Sequence, residues 1–354
     1  LNLTRYGWDE EMAAAFGDHA AAGRAPARVA LQVKGQYLLL TEAGEMAAVC
    51  SGRLRHEAIV AEDLPVVGDC VAVTSAEGQP PRALIHAVLP RRSLFRRKEA
   101  GARSLAQPLA ANVDTVLITV GLDGDFSINR IERYLALTRE SGAAPVILLT
   151  KTDLCPDVPA KVEAVRARAP GAPVIAISNL DGTGVDEVSA HLLPGRTCAL
   201  LGSSGVGKST LLNRLLGVEA QKTREVRLSD STGRHTTTNR QLFVLPSGAL
   251  MIDSPGMREL QLWDAGRGVE ETFAEIVELA SRCRFPDCRH ADEPGCAVTA
   301  AVREGTIDPA RLENYRKLSR EVEFMSLRQE EGAARAERAR WKGIHKEIKR
   351  MKKG

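Results

Sequence analysis

The spacing of glycines between one apolar run and one helical pattern constrains this chain more than any other feature. Gly202-Ser203-Ser204-Gly205-Val206-Gly207-Lys208-Ser209 follows the apolar run Thr197–Leu201 and precedes a helical pattern through Leu216, with Gly217 as its stop. Strand, glycine-rich turn and helix in that order belong to a parallel α/β sheet. The glycines let backbone N–H groups converge in the turn, and the helix N-terminus adds partial positive charge, so the turn is built to hold phosphate. Lys208 is expected to reach the outer phosphates and Ser209 to ligate Mg2+, with Thr210 completing the stretch.

The surrounding pattern agrees. Asp114–Val120, Pro145–Thr150, Pro173–Ile177, Gln241–Leu245 and Leu250–Ile252 are further apolar strand candidates. Ile128, Ile131 and Leu135 give helical spacing between the first two, with Ser127 as N-cap and Gly142 as stop. At 354 residues the chain has room for about two to three domains. With 44% hydrophobic and 26% charged residues it can build cores and is not wholly disordered. No apolar run approaches a membrane span, and Leu1–Glu10, with three charges, does not read as a secretory signal.

Two strand ends carry base-recognition chemistry. After Pro145–Thr150 comes Thr150-Lys151-Thr152-Asp153, whose carboxylate can accept both N1–H and N2–H of guanine, a pair adenine cannot supply. After Pro173–Ile177, Ser178 and Asn179 can present backbone N–H groups to the guanine oxygen. Asp253-Ser-Pro-Gly256 ends the last strand; Asp253 suits a water-mediated Mg2+ contact, and the Gly256 N–H suits the γ-phosphate. These motifs form a GTPase set in an unusual order, with base recognition before the phosphate loop and the Asp-x-x-Gly turn last. A circular permutation accounts for it, and joined surface termini make that tolerable.

Upstream, Arg28–Val33, Gln36–Thr41, Met46–Cys50, Gly68–Thr74 and Arg82–Leu89 are five short strands with glycine turns between them. They suggest a small barrel, with the OB-fold leading and an SH3-like barrel giving nearly the same string. Residues 1–27 read as an arm with a short helix at Glu10–Phe16, and Gly23, Pro26 and nearby alanines as a linker. Arg91, Arg92, Arg96, Arg97 and Lys98 surround Phe95, which suits RNA backbone and base stacking or an ordinary basic linker. Downstream, a helix is expected at Thr272–Arg282 and a long charged one from about Pro309. Cys283, Cys288, His290 and Cys296 offer three thiolates and an imidazole within fourteen residues, a set suited to one closed structural Zn2+. Residues 335–354 hold nine Lys/Arg and two Glu against a chain net charge of +3, a basic tail that favours an anionic partner.

The combination resembles the RsgA (YjeQ) family of ribosome small-subunit-dependent GTPases. The resemblance rests on the barrel, GSSGVGKST, Gly233-Arg-His-Thr-Thr-Thr238, Asp253-Ser-Pro-Gly256 followed by Met257, and the Cys/His knot. It implies a multidomain protein: an arm (1–27), an N-terminal OB-fold β-barrel (28–100), a central circularly permuted α/β P-loop GTPase domain (101–265) and a C-terminal helical zinc-binding domain (266–354). It further implies a monomeric cytoplasmic factor that binds the small (30S) subunit and its 16S rRNA with GTP bound and hydrolyses GTP to GDP when the subunit stimulates it. The family usually has Asn where this chain has Thr150, so affinity or selectivity for guanine is expected to fall. Met257 stands where many GTPases place a water-orienting Gln, so His235 is expected to orient the water and Thr237 (or Thr238) to complete the Mg2+ shell. A nucleic-acid-binding module with a structural nucleotide site and a P-loop kinase are the alternatives.

Overall fold

The computed structural model describes residues 3–76, 82–98, 106–217, 240–253, 265–291 and 293–327. Strands β1 (Ala25–Val33), β2 (Gln36–Thr41), β3 (Gly44–Cys50), β4 (Cys70–Ala76) and β5 (Arg82–Val88) close on themselves in the order β1-β2-β3-β5-β4-β1. The β3–β5 pairing is parallel and the other four are antiparallel. That order, with the helix Gly52–Glu57 between β3 and β4, decides for the OB-fold. Ala27, Val29, Leu39, Val71 and Ile85 fill the barrel. The linker expected around Pro26 is instead the start of β1: Pro26 lies opposite Ala72, and Ala27 is buried. Proline is tolerated here because only β4 pairs with β1 at this point and β2 joins from Arg28 onward, so this end of the strand is an edge.

A ribbon of β6 (Leu94–Lys98) and β7 (Ala106–Ala111) follows, which overturns the reading of this stretch as an RNA-stacking surface. Phe95 is only 2% exposed, so its ring is core. The arginines are already paired: Arg91 with the buried Asp69, Arg92 with Asp9 and Asp114, and Arg96 with Glu62, while Arg97 donates to Gln107.

The second half of the sheet comprises β8 (Thr115–Gly121), β9 (Ala144–Thr150), β10 (Val174–Ala176), β11 (Thr197–Leu201), β12 (Arg240–Val244) and β13 (Leu250–Asp253). Their order is β10-β9-β8-β11-β13-β12, parallel except for the β12–β13 pair. Strand β11, which feeds the phosphate loop, is thus flanked by β8 from earlier in the chain and β13 from later. The permuted chain closes one sheet, and parallel strands put all their C-terminal ends on one edge. The helix Ile128–Ser141 begins and ends as its sequence directs, with Ser127 accepting from Arg130 N and Gly142 at φ +89°.

Barrel and sheet are continuous through β1, whose Leu31 and Gln32 pair with Gln241 and Arg240. Arg28 pins the junction. It is 1% exposed and donates to Gly68 O, Tyr6 O, Asn112 O and Thr197 Oγ1 at 2.6–3.2 Å, joining the arm, the barrel and the root of β11. A lysine cannot span acceptors spread around a planar fork. Arg28→Lys is therefore expected to cost about 2 kcal/mol by leaving buried acceptors unpaired, read as a lower denaturant midpoint with an unchanged m-value.

Past residue 265 the chain is helical. The helix expected at Thr272–Arg282 is Ala274–Ala280, and a further helix, Gly266–Thr272, precedes it; Phe273 (φ −116°, ψ 39°) leaves helical geometry between them and its ring is buried in the core. Ala297–Arg303 and a helix over 309–327 complete the region. Among the described residues no helix is long and apolar enough to cross a membrane.

Candidate functional site

The nucleotide-site motifs that fall within the described residues converge on the C-terminal edge of the parallel strands. Residues 202–207 form the turn expected between β11 and the helix Lys208–Leu216. Gly202 has φ +155°, and a Cβ there would lie 2.2 Å from Thr119 O. Gly205 and Gly207 also have positive φ, and Gly207 caps the helix. Val206 is buried, whereas Ser204, Gly205, Ser209 and Thr210 are exposed. Lys208 is 6% exposed; its Nζ donates to Gly202 O at 2.6 Å and to Ser203 O, which holds the ammonium inside the turn. Asp253 ends β13, and β13 runs beside β11 in parallel register, Ala199 opposite Ile252. Asp253 and the phosphate loop therefore leave the same sheet edge. Hard oxygen donors from Ser209 and Asp253 suit Mg2+.

The base-recognition stretches meet one another and the loop. Asp153 Oδ1 accepts from Ser178 Oγ at 3.1 Å, and Thr152 N donates to Ile177 O at 3.4 Å. Thr150, fully buried, donates to Val206 O at 2.7 Å. Asn179 Nδ2 donates to Gly207 O at 3.1 Å. Motifs separated by 28 to 56 residues in the chain are thus bonded side chain to backbone around one space. Lys151 adopts φ +60° and pairs with Asp123. His235, Thr237 and Gly256 lie outside the described residues.

Sequence reasoning missed an acidic turn at this edge. In the turn after β8, Asp123 holds Lys151, and Asp125 pairs with Arg130. Ser203 Oγ donates to Asp125 Oδ2 at 3.1 Å, and Arg130 Nη1 donates to Ser203 Oγ at 3.1 Å. The Lys151 ammonium holds the Asp123 carboxyl below the usual carboxylate range, and Arg130, then Ser203, do the same for Asp125. The available signal was Gly121-Leu-Asp-Gly-Asp125, a polar turn leaving a buried strand on the loop's side of the sheet.

A second cluster stands in the helical region. The ligand atoms of Cys283, Cys288, His290 and Cys296 all lie within 4.8 Å of one another. Cys283 Sγ lies 3.8 Å from Cys296 Sγ, and His290 Nδ1 lies 3.6 Å and 3.5 Å from those two sulfurs. A tetrahedron with Zn–S of ~2.3 Å and Zn–N of ~2.0 Å has edges of about 3.8 and 3.5 Å, so the donor set fits that ion. Cys296 also N-caps the helix Ala297–Arg303, accepting from Thr299 N. Burial pushes its thiol up, but the Thr299 hydroxyl and N–H, with His290, outweigh this and hold it well below its ordinary value. A thiolate at that cap suits a metal ligand.

Comparison with known proteins agrees with the geometry. A family model described as RsgA GTPase matches residues 88–263. A relative from Opitutus terrae named small ribosomal subunit biogenesis GTPase RsgA is 49% identical, covering 98% of this chain and 96% of its own. One of the same name from Syntrophotalea carbinolica is 42% identical over 100% and 98%. The crystal structure of YjeQ from Thermotoga maritima superposes with a TM-score of 0.62 at 28% identity, over 83% of this chain and 97% of that one. YloQ, described as a circularly permuted GTPase, gives 0.58 at 26% identity over 87% and 96%. Sheet order, motif order and full-length similarity lead to one assignment: the chain belongs to the RsgA GTPase family.

Proposed function

We propose that this protein hydrolyses GTP to GDP and phosphate in the late maturation of the small ribosomal subunit. It binds the subunit and its 16S rRNA with GTP bound, is stimulated by the subunit and leaves after hydrolysis. It acts as a cytoplasmic monomer. The observation that carries the reading is the bonding of Thr150 and Asn179 to Val206 and Gly207, which ties the base strands to the phosphate loop despite the permuted chain. The relatives' names supply the partner.

Each residue has a task on this reading. Lys208 and the N–H groups of 202–210 grip the phosphates, and Ser209 and Thr237 hold Mg2+, with Asp253 acting through water. Asp153 selects guanine, with Ser178 keeping its carboxylate in place. His235 orients the attacking water once the subunit orders its segment, since Met257 cannot. Gly256 N–H answers the γ-phosphate. One Zn2+ on Cys283, Cys288, His290 and Cys296 holds the C-terminal region together. With Arg91, Arg92 and Arg96 neutralised internally, the rRNA-facing charge falls chiefly to the tail 335–354.

The test is GTP turnover against added small subunits, with large subunits as control. Wild type is expected to accelerate at least tenfold with small subunits alone. His235→Ala is expected to stay at the basal rate in their presence while binding GDP as wild type does. Equal response to both subunits refutes the partner, and a stimulated His235→Ala variant refutes the role of His235.

A further inference from the structure

The phosphate loop is held by side chains of the base-recognition motifs, and the proton count at one of them limits what it can read. Val206 O and Gly207 O are consecutive carbonyls; the first accepts from Thr150 Oγ1 and the second from Asn179 Nδ2. The second contact needs a glycine, because a Cβ at Gly207 would lie 2.7 Å from the Asn179 amide nitrogen. A hydroxyl carries one proton. That of Thr150 goes to Val206 O at 2.7 Å, and its next acceptor, Val120 O at 3.3 Å, is also backbone. Guanine N7 and O6 only accept hydrogen bonds. A hydroxyl donating to the loop therefore has nothing left to donate to N7, whereas a primary amide at this position has two protons and can serve both.

Building on the guanine-nucleotide reading above, we infer that Thr150 and Asn179 are positioning residues that set the phosphate loop, and that residue 150 does not read guanine N7. The division of labour differs from that of an amide at 150. Thr150 supplies the loop tether, the Asn179 side chain supplies a second one, and selectivity rests on Asp153 at the opposite edge of the base. Phosphate grip and base grip are thereby linked through two bonds that touch no ligand.

The experiment titrates GDP, 7-deaza-GDP and IDP into the full chain and into Thr150→Val, Thr150→Ser and Asn179→Ala. 7-deaza-GDP lacks the N7 acceptor, and IDP lacks the 2-amino group that Asp153 would bind. Wild type is expected to bind GDP and 7-deaza-GDP within twofold of each other. Thr150→Val and Asn179→Ala are each expected to lose roughly tenfold in affinity for both, as deletion of one hydrogen bond implies. Thr150→Ser, which keeps the hydroxyl, should stay within threefold of wild type, and the preference for GDP over IDP should be the same in all four proteins. A wild type that discriminates tenfold against 7-deaza-GDP, with that discrimination lost in Thr150→Val, overturns the inference and leaves the guanine reading standing. So does a Thr150→Ser variant as weak as Thr150→Val. A wild type that binds no GDP overturns both.

Discussion

Cys296→Ala, or a strong chelator added to the wild-type protein, is expected to melt the C-terminal helical region at a cost on the order of 10 kcal/mol. Residues 281–296 contain no helix or strand among those described, so the loop has no backbone ladder of its own. Three thiols and an imidazole crowded to within 4.8 Å do not replace an ion: thiols are weak donors and acceptors, and a cluster of thiolates repels itself. The substitution removes two supports together, since Cys296 is one of the four proposed ligands and the N-cap of Ala297–Arg303. The consequence spreads because Val298, Ala301, Ile307, Leu312 and Leu318 from this region are part of the main core. The checks are one zinc per chain by elemental analysis, lost in the variant, and a drop in helical circular dichroism on chelation that added Zn2+ reverses. The affinity should fall as pH falls, because protons compete for the thiolates and imidazole. Unchanged helicity and melting after complete metal removal would refute the structural role.

Local signals were legible in the sequence where they are self-contained. Ser127 and Gly142 bound their helix as written, the phosphate-loop glycines take the positive φ their spacing implies, and the four Cys/His side chains that cluster come from one short segment. What depends on distant partners was not legible. The β3–β5 parallel pairing that decides between barrel types joins strands more than thirty residues apart. Arg91, Arg92 and Arg96 form a basic run when charge is counted along the chain. Their carboxylates, Asp69, Asp9, Asp114 and Glu62, arrive from elsewhere, and the run becomes a set of internal pairs. Asp125 and Ser203 lie 78 residues apart, so no spacing pattern joins them at the phosphate loop. The Asn179 side chain was invisible for a different reason. Sequence reasoning assigned that position to its backbone N–H, and an amide's second use appears only when an acceptor such as Gly207 O is in reach.

Glu132→Gln is expected to destabilise the protein by about 3 kcal/mol, the effect of removing one partner from a buried ion cluster. Glu132 has no exposed surface, and it sits one turn into the helix Ile128–Ser141. Its Oε1 accepts from Arg311 Nη1 at 2.7 Å and from Arg168 Nη1 at 3.3 Å, and Asn314 Nδ2 donates to its Oε2 at 2.5 Å. Arg311 also donates to Glu275 and to Thr272 O, and stacks on the Phe273 ring at 4.7 Å. Glutamine keeps the shape and loses the charge, so two guanidiniums lose a counter-ion, and the new amide must set its NH2 against a donor, either the guanidiniums or the Asn314 amide. The same helix touches the phosphate loop at one end, through Arg130 and Ser203, and the helix Gly266–Thr272 at the other, where Gly268 N donates to Glu140 Oε2. Gly268 permits that approach, since a Cβ there would sit 2.1 Å from Ala136 O. One helix therefore spans from the phosphate loop to the C-terminal region, and Glu132 anchors it one turn from its start. Hydrogen exchange should show the variant losing protection over 309–327 and 266–280 before the strands β8, β9 and β11 do. Uniform loss across the chain, or a change below 1 kcal/mol, would mean that apolar packing alone holds the region in place.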